Sequence, residues 1–339
     1  MNNIQMVMTR HILKDYDQLF LEVGNFKTDT FLPSSTTGRC RFCKQSLPNV
    51  TFNKRAHAIS ELIGNHHLLS NYECDSCNSS YSKLEYQFSQ YMLFYNTVFQ
   101  IVGKRKPPVF QPYRNQPSSI FSSNGVLNIR VYQGDSIMHK INWCKKLVTL
   151  YGNRTYIPID VYRCLLKMAL TVMPETEMQF LNDSLDFLNK VTDMPNIKKI
   201  CYFKIYGGGI NVFGFPAVML YKRKPTSSSN VPAYLFGLAY GNFFFEMPII
   251  GCSLDAHLQN TTYFDLPVIP TIADGNFPIM QDTRMLDLSS TQKVIKEPVK
   301  MSLHFEYAQG KWLAKWWTIL AYYITEPWYW IKNLIRSTQ

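Results

Sequence analysis

The stretch that decides the fold runs from Cys40 to Asn78: CRFC at 40–43, KQSLPNVTFNKRAHAISELIGNHHLLSNYE at 44–73, then CDSCN at 74–78. Each CxxC turn presents two sulfurs to one side, and two such turns supply the four thiolates of a tetrahedral zinc site. The 30 residues between the pairs exceed the spacing of a simple zinc ribbon, so the clamp encloses further structure. Inside it, Val50 to Ile59 alternates as a strand does, Gly64-Asn65 breaks the run, and Leu68 to Glu73 resumes as a second strand. Beyond Cys77 the period becomes helical, with Leu84, Phe88, Tyr91 or Met92, Tyr95 and Phe99 on one face. The expected order is strand, loop, strand, helix, with zinc pinning the hairpin to the helix start. That order carries His57 from the first strand towards Asn78 in the first helical turn, where free N–H groups favour a phosphate.

On these residues the segment resembles the HNH endonucleases of the ββα-metal class, in the subset braced by two CxxC pairs. The resemblance rests on AHAISELIGN at 56–65, on Asn71 fourteen positions after His57, and on CDSCN running into KLE at 83–85. It covers residues 36 to 103. It implies that His57 is the general base that activates water, that Asn71 orients it, and that Asn78 ligates a catalytic Mg²⁺ or another divalent cation. Cys40, Cys43, Cys74 and Cys77 would hold a structural zinc, and DNA would be the substrate. Where many members carry an acidic residue just before the catalytic histidine, this chain has Ala56, and Ser60 replaces a familiar proline. A hard cation that keeps several waters can be held by few protein groups together with substrate phosphate, so Asn78 becomes its main ligand.

The neighbours of this constellation have plainer readings. Lys54 and Arg55 precede His57, and strand geometry puts only one of them on the catalytic face. His66 and His67 read as loop histidines, and Asp75 as a helix cap. Glu85, seven residues along the helix from Asn78, shares its face.

Outward from the clamp, the chain has 339 residues, a hydrophobic content of 46% and a charged content of 17%, which excludes a disordered or collagen-like chain. Its net charge of +11 suits a polyanionic partner, with +4 over residues 1–110 and +7 over the rest. The N-terminal residues have no apolar core of signal-peptide length, and eight unevenly placed cysteines do not make a disulfide scaffold, so a cytoplasmic protein is expected. KRKPPVFQP at 104–112 reads as a linker. Strands are expected in VLNIRVY and KKLVTLY, bounded by turns at Asn124-Gly125 and Gly152-Asn153. Two helices follow between Ile159 and Lys190, separated at Pro174. CYFKIYG, AVMLYKRK, AYLFGLAYGNFFFEMPIIG and FDLPVI then read as strands of an antiparallel sheet.

The expected fold class is α+β: a small zinc-braced ββα-metal module followed by a larger α+β domain with an antiparallel sheet and an aromatic C-terminal helix. The expected divisions are 1–35, an N-terminal segment; 36–107, the nuclease module; 108–305, a targeting or regulatory domain; and 306–339, the aromatic segment. In the last, Trp312, Trp316, Leu320, Tyr323 and Ile324 line one helical face, and Pro327 starts a second turn. Its longest uncharged run, Trp316 to Thr325, is ten residues, against about 20 for a transmembrane span. Between residues 108 and 305 no motif carries chemistry: Gly207-Gly208-Gly209 reads as a turn, residues 221–230 as an exposed hairpin loop, and Cys144, Cys164, Cys201 and Cys252 as buried small hydrophobes.

The resemblance further implies a bacterial restriction or phage-defence effector, with an oligomeric or regulatory partner engaged through the C-terminal domain. Two other classes compete. A zinc-dependent nucleic-acid-binding protein without catalysis would bind but not cut, and a membrane-associated scaffold would use its aromatic tail.

Overall fold

The computed structural model describes residues 12–24, 27–32, 38–112, 117–132, 138–194, 196–207, 211–227, 230–258, 266–271, 273–274 and 281–304. The aromatic segment 306–339, with Trp312 and Trp316, lies outside the described residues, as do Gly208 and Gly209. In chain order, β1 is Tyr16–Val23 and β2 is Thr30–Phe31. The clamped segment supplies β3 (Ala56–His57), β4 (Leu68–Ser70) and α1 (Asp75–Val98). Then β5 (Ser119–Ser123) and β6 (Val126–Arg130) form a hairpin around Asn124-Gly125, whose φ angles of 53° and 73° are those of a tight primed turn. Next come β7 (His139–Asn142), β8 (Leu147–Tyr156), α2 (Pro158–Val172) and α3 (Asn182–Leu188), with a 3₁₀ turn at Glu175–Phe180 between the two helices. The last strands are β9 (Ile200–Tyr206), β10 (Phe213–Arg223), β11 (Tyr234–Gly241), β12 (Phe243–Pro248), β13 (Gln281–Asp287) and β14 (Val294–His304).

The fold is α+β. A six-stranded sheet, ordered β1-β10-β11-β12-β9-β13, is antiparallel throughout. Its central strands β11 and β12 are buried at every position, which is why YLFGLAYG and FFFEMP read as continuous apolar runs and not as alternations. One face receives α1: Phe88 meets Phe245 at 5.5 Å between ring centres, and Tyr91 and Tyr95 meet Phe203 at 6.1 and 5.8 Å. The helix that begins at the second CxxC pair therefore ends in the main core, and its aromatic positions bury far more apolar surface than the small module holds by itself.

Two compact units divide the chain. The first takes residues 1–139 and 150–301, so it contains the clamped segment and the six-stranded sheet. The second takes 140–149 and 302–339; in its described part, Thr149 Oγ1 and Ser302 Oγ share a hydrogen bond of 2.8 Å. No helix among the described residues is long and apolar enough to cross a membrane.

Several local expectations are corrected. The strand expected over 50–59 shrinks to Ala56–His57, because the backbone N–H groups of Asn53 and Lys54 bond the Asp75 carboxylate instead of a partner strand. The strand expected over 68–73 stops at Ser70, and the Tyr72 carbonyl accepts the N–H of Arg41. Gly152-Asn153 is no turn: β8 runs straight through it. The described part of FDLPVI is not a strand either, since the Ile269 N–H is taken by the Glu246 carboxylate. Cys164, Cys201 and Cys252 are buried as expected, but Cys144 is exposed in the turn between β7 and β8.

Candidate metal centre and active site

The four cysteines converge. All four sulfurs lie within 4.8 Å of one another, and among the described residues this is the group of His, Cys, Asp or Glu side chains able to hold a metal. Cys40 Sγ is 3.8 Å from Cys77 Sγ, and Cys43 Sγ is 3.7 Å from Cys74 Sγ. A tetrahedron with zinc–sulfur bonds of about 2.3 Å has edges of about 3.8 Å, so the spacing fits zinc, whereas a disulfide would need about 2.05 Å. The donors suit the ion as well. The Cys40 sulfur accepts the N–H of Cys74 at 3.4 Å, and the Cys74 sulfur caps α1 by accepting the N–H of Cys77 at 3.5 Å. The Cys77 thiol and the backbone N–H groups of Cys43, Cys74 and Phe42 hold the Cys40 thiol well below its ordinary range, against the opposing effect of burial. A thiolate is the form that binds metal.

The first knuckle is fastened beyond its own cysteines. Arg41, between Cys40 and Cys43, is 5% exposed and donates from Nη1 to the carbonyls of Leu170, Thr171 and Met173 at 3.0, 2.9 and 2.7 Å. These are the free carbonyls at the C-terminal end of α2, where a cation also meets the negative end of the helix dipole. Its guanidinium lies 4.0 Å from the centre of the Tyr72 ring. The carbonyl of Phe42 accepts from Asn189 Nδ2 at 3.2 Å, just past α3.

Around His57 the backbone is held mainly by side chains. The ladder of β3 with β4 contains Ala56 opposite Ser70 and His57 opposite Leu69. The loop beyond closes on Asn65, which is fully buried: its Nδ2 donates to the carbonyls of Ile59 and Leu68 at 2.7 and 3.0 Å, and its Oδ1 accepts the Leu68 N–H at 2.9 Å. Ser60 caps the short 3₁₀ turn Glu61–Ile63, with its hydroxyl accepting the Leu62 N–H. On the approach to β3, the Asp75 carboxylate accepts from the Thr51 hydroxyl at 2.6 Å and from the N–H groups of Asn53 and Lys54 at 3.1 and 2.7 Å. The helix cap itself is Cys74, so Asp75 serves as the clamp between the approach to β3 and α1.

These clamps decide where the candidate residues stand. Asn78 is half-buried in the first turn of α1, with its N–H on the Cys74 carbonyl at 2.9 Å. Lys54 Nζ donates to the next residue, Ser79, at 2.7 Å, whereas Arg55 turns away to Asp29 and to the His66 carbonyl at 2.6 Å. His67 also bonds Asp29, at 3.0 Å, and His66 stands 3.9 Å from Glu61. Asn71 occupies the exposed bend between β4 and Cys74. His57 is half-buried; its Nδ1 is enclosed and finds no hydrogen-bond partner among the described residues. Burial lowers the affinity of its imidazole for a proton. Glu61 opposes that shift, and Arg55, Lys167 and His66 reinforce it. The net direction favours the neutral ring, the form that can accept a proton.

β3 consists of Ala56 and His57, so the position beside His57 on that strand offers no carboxylate. Three side chains with structural roles here were not singled out from the sequence, Arg41, Glu73 and Lys167, and Asn65 was read only as part of a chain break. Two of them adjoin metal cysteines in the chain, and that adjacency was the available signal.

The HNH endonuclease family model matches residues 40–93, from the first metal cysteine into the aromatic half of α1. Over these residues the chain is similar to the HNH endonucleases, a family that acts on nucleic acid. No curated protein and no solved structure matches the chain.

Proposed function

We propose that this HNH module is a metal-dependent endonuclease that hydrolyses DNA phosphodiester bonds. The observation that carries the reading is His57, half-buried at the end of β3 with its Nδ1 enclosed, on the hairpin that the cysteine cluster and Asp75 tie to the start of α1. His57 takes the proton of the attacking water, Asn71 orients that residue and water, and Asn78 is the protein's ligand for Mg²⁺ or another divalent cation. Bound there, the cation would neutralise charge developing on the phosphate and on the 3′ oxygen that leaves as the P–O bond breaks. Because β3 supplies Ala56 and no carboxylate, Asn78 offers a neutral oxygen alone, and cation affinity depends on substrate phosphate. Lys54, beside Ser79 on the first turn of α1, adds positive charge on the phosphate side. The rest of the chain is read as targeting or controlling the module, as in a defence effector.

The test is nicking of supercoiled plasmid with Mg²⁺, with EDTA, and by His57→Ala. Removing the base should slow the reaction about 10²- to 10⁴-fold. Cutting at the parental rate by a folded, zinc-loaded His57→Ala protein refutes the assignment. Ala56 favours one other reading, a zinc-dependent nucleic-acid-binding protein without catalysis. That reading expects a gel shift with no products under every metal condition.

A further inference from the structure

Lys167 lies on α2, outside the residues matched by the HNH model, and its side chain is 5% exposed. Its Nζ pairs at 2.7 Å with the carboxylate of Glu73, whose side chain is fully enclosed, immediately before Cys74. The same Nζ donates to the main-chain oxygen of His57 at 3.2 Å and stands 6.0 Å from the centre of the Phe42 ring, inside the first CxxC turn. One buried ammonium therefore reaches the end of β3, the residue before the second cysteine pair, and the first knuckle. Stability alone does not call for such a pair. Desolvating two charges is costly, and well-packed apolar residues in their place are often neutral or better. β3 does need an external support, because a two-residue ladder fixes little.

We propose that Lys167 is a positioning residue for the nuclease reaction: held by Glu73, it grips the His57 carbonyl and keeps the imidazole in register with the first turn of α1. This rests on His57 being the base. Lys167 touches neither water nor phosphate in this account and acts through His57. It makes α2 part of the site's frame, so the site is incomplete within the HNH segment taken alone. The charged groups bearing on the imidazole are Glu61, Arg55, His66 and Lys167 itself, with burial the largest influence.

The test uses the full chain, supercoiled plasmid and Mg²⁺. Removing Lys167 alone strands the Glu73 charge and risks unfolding, so the informative variant is the double replacement Lys167→Met with Glu73→Gln, which removes both charges together. It is expected to fold and to retain zinc, with cutting slowed about 10²-fold, the scale of a misplacement near 1 Å. Its His57 ring signals in NMR, identified by their loss in His57→Ala, should titrate at higher pH than in the parent, because a ring released from its carbonyl support leaves the burial that lowers its proton affinity. A purely structural pair would leave that titration where it was. A folded double variant with parental cutting and an unmoved titration overturns the proposal. Failure of the double variant to fold also overturns it, since the pair would then be a structural pillar. If the parental protein does not cut, the reading of His57 as base fails separately, while the titration still decides whether Lys167 governs the imidazole.

Discussion

Strands β3 and β12 sit in one compact unit and are held in opposite ways. β12 is bonded along both edges, to β11 and β9, and is buried at all its positions, with Phe245 stacked on Phe203 at 4.5 Å. β3 has a two-residue ladder, and its place comes from Asp75, Asn65, Lys167 and the cysteine cluster. The lesson is one of scale. A large sheet is fixed by backbone pairing and apolar burial, whereas a small module reaches a defined geometry by polar side chains and a cysteine cluster able to hold a metal, each of which is a single point of failure.

The largest break follows from that. Structural zinc in finger-sized sites contributes about 10–16 kcal/mol of apparent binding energy, which rivals the whole stability of an ordinary domain at about 5–15 kcal/mol. Cys40→Ser should therefore abolish bound zinc by elemental analysis and release the segment around β3. Trypsin reports it directly: Lys54 and Arg55, now tied to Ser79 and Asp29, should become the earliest cleavage sites. Lys204, 3% exposed on β9, should stay protected. Early cleavage at Lys204 together with Lys54 would mean that the two regions stand or fall as one.

A second, smaller effect shows what a polar group does inside the sheet. Glu246 on β12 is fully buried; its Oε2 accepts the Ile269 N–H at 2.9 Å, and its Oε1 has no hydrogen-bond partner among the described residues. Burial pushes its carboxyl up to about 8, which the Ile269 N–H and Lys204 counter and Asp274 reinforces. Folded, it keeps a proton that the unfolded chain releases above its ordinary 4.5, so stability falls as pH rises from there through about 8. The slope is at most about 1.4 kcal/mol per pH unit. Glu246→Gln mimics the protonated acid: denaturant melts should agree with the parent near pH 4 and show the variant more stable at pH 8. Parallel stability curves from pH 4 to pH 8 would show that Glu246 does not hold its proton.

The sequence made the apolar and metal features legible and the clamps illegible, for a physical reason. CxxC spacing, helical aromatic periodicity and continuous apolar strands are local patterns, and they located the cysteine cluster, α1, α2 and the strands β9 to β12. Lys167 reaches His57 across 110 positions of chain, and Arg41 reaches Leu170 across 129, so no local pattern encodes either contact. The edge strands β1, β13 and β14 escaped for a related reason. Their exposed polar positions, as at Asp282, Thr283 and Arg284, blur the apolar signal that marks a central strand. The strand expected over 50–59 failed because a side chain, Asp75, outcompeted a partner strand for the backbone donors.

Gly152 carries the smallest predicted effect and tests the other half of the comparison, the region held by packing. Beside Asn153 it looks like a turn, yet it lies within β8, and a Cβ built there would stand 2.6 Å from Phe110 Cζ and 2.7 Å from Phe94 Cδ2. Both rings are buried and pack edge-to-face at 5.2 Å, so neither can swing into solvent. The glycine is there because aromatic rings approach the strand too closely for any side chain, which is the meaning of glycine inside a strand and not of glycine in a turn. Gly152→Ala should therefore cost about 1–3 kcal/mol by overpacking, measured as a lower denaturation midpoint at unchanged slope, with zinc content unaffected. If the alanine protein were as stable as the parent, those rings would have room to shift, and the core at the end of α1 would be looser than that of the sheet it joins.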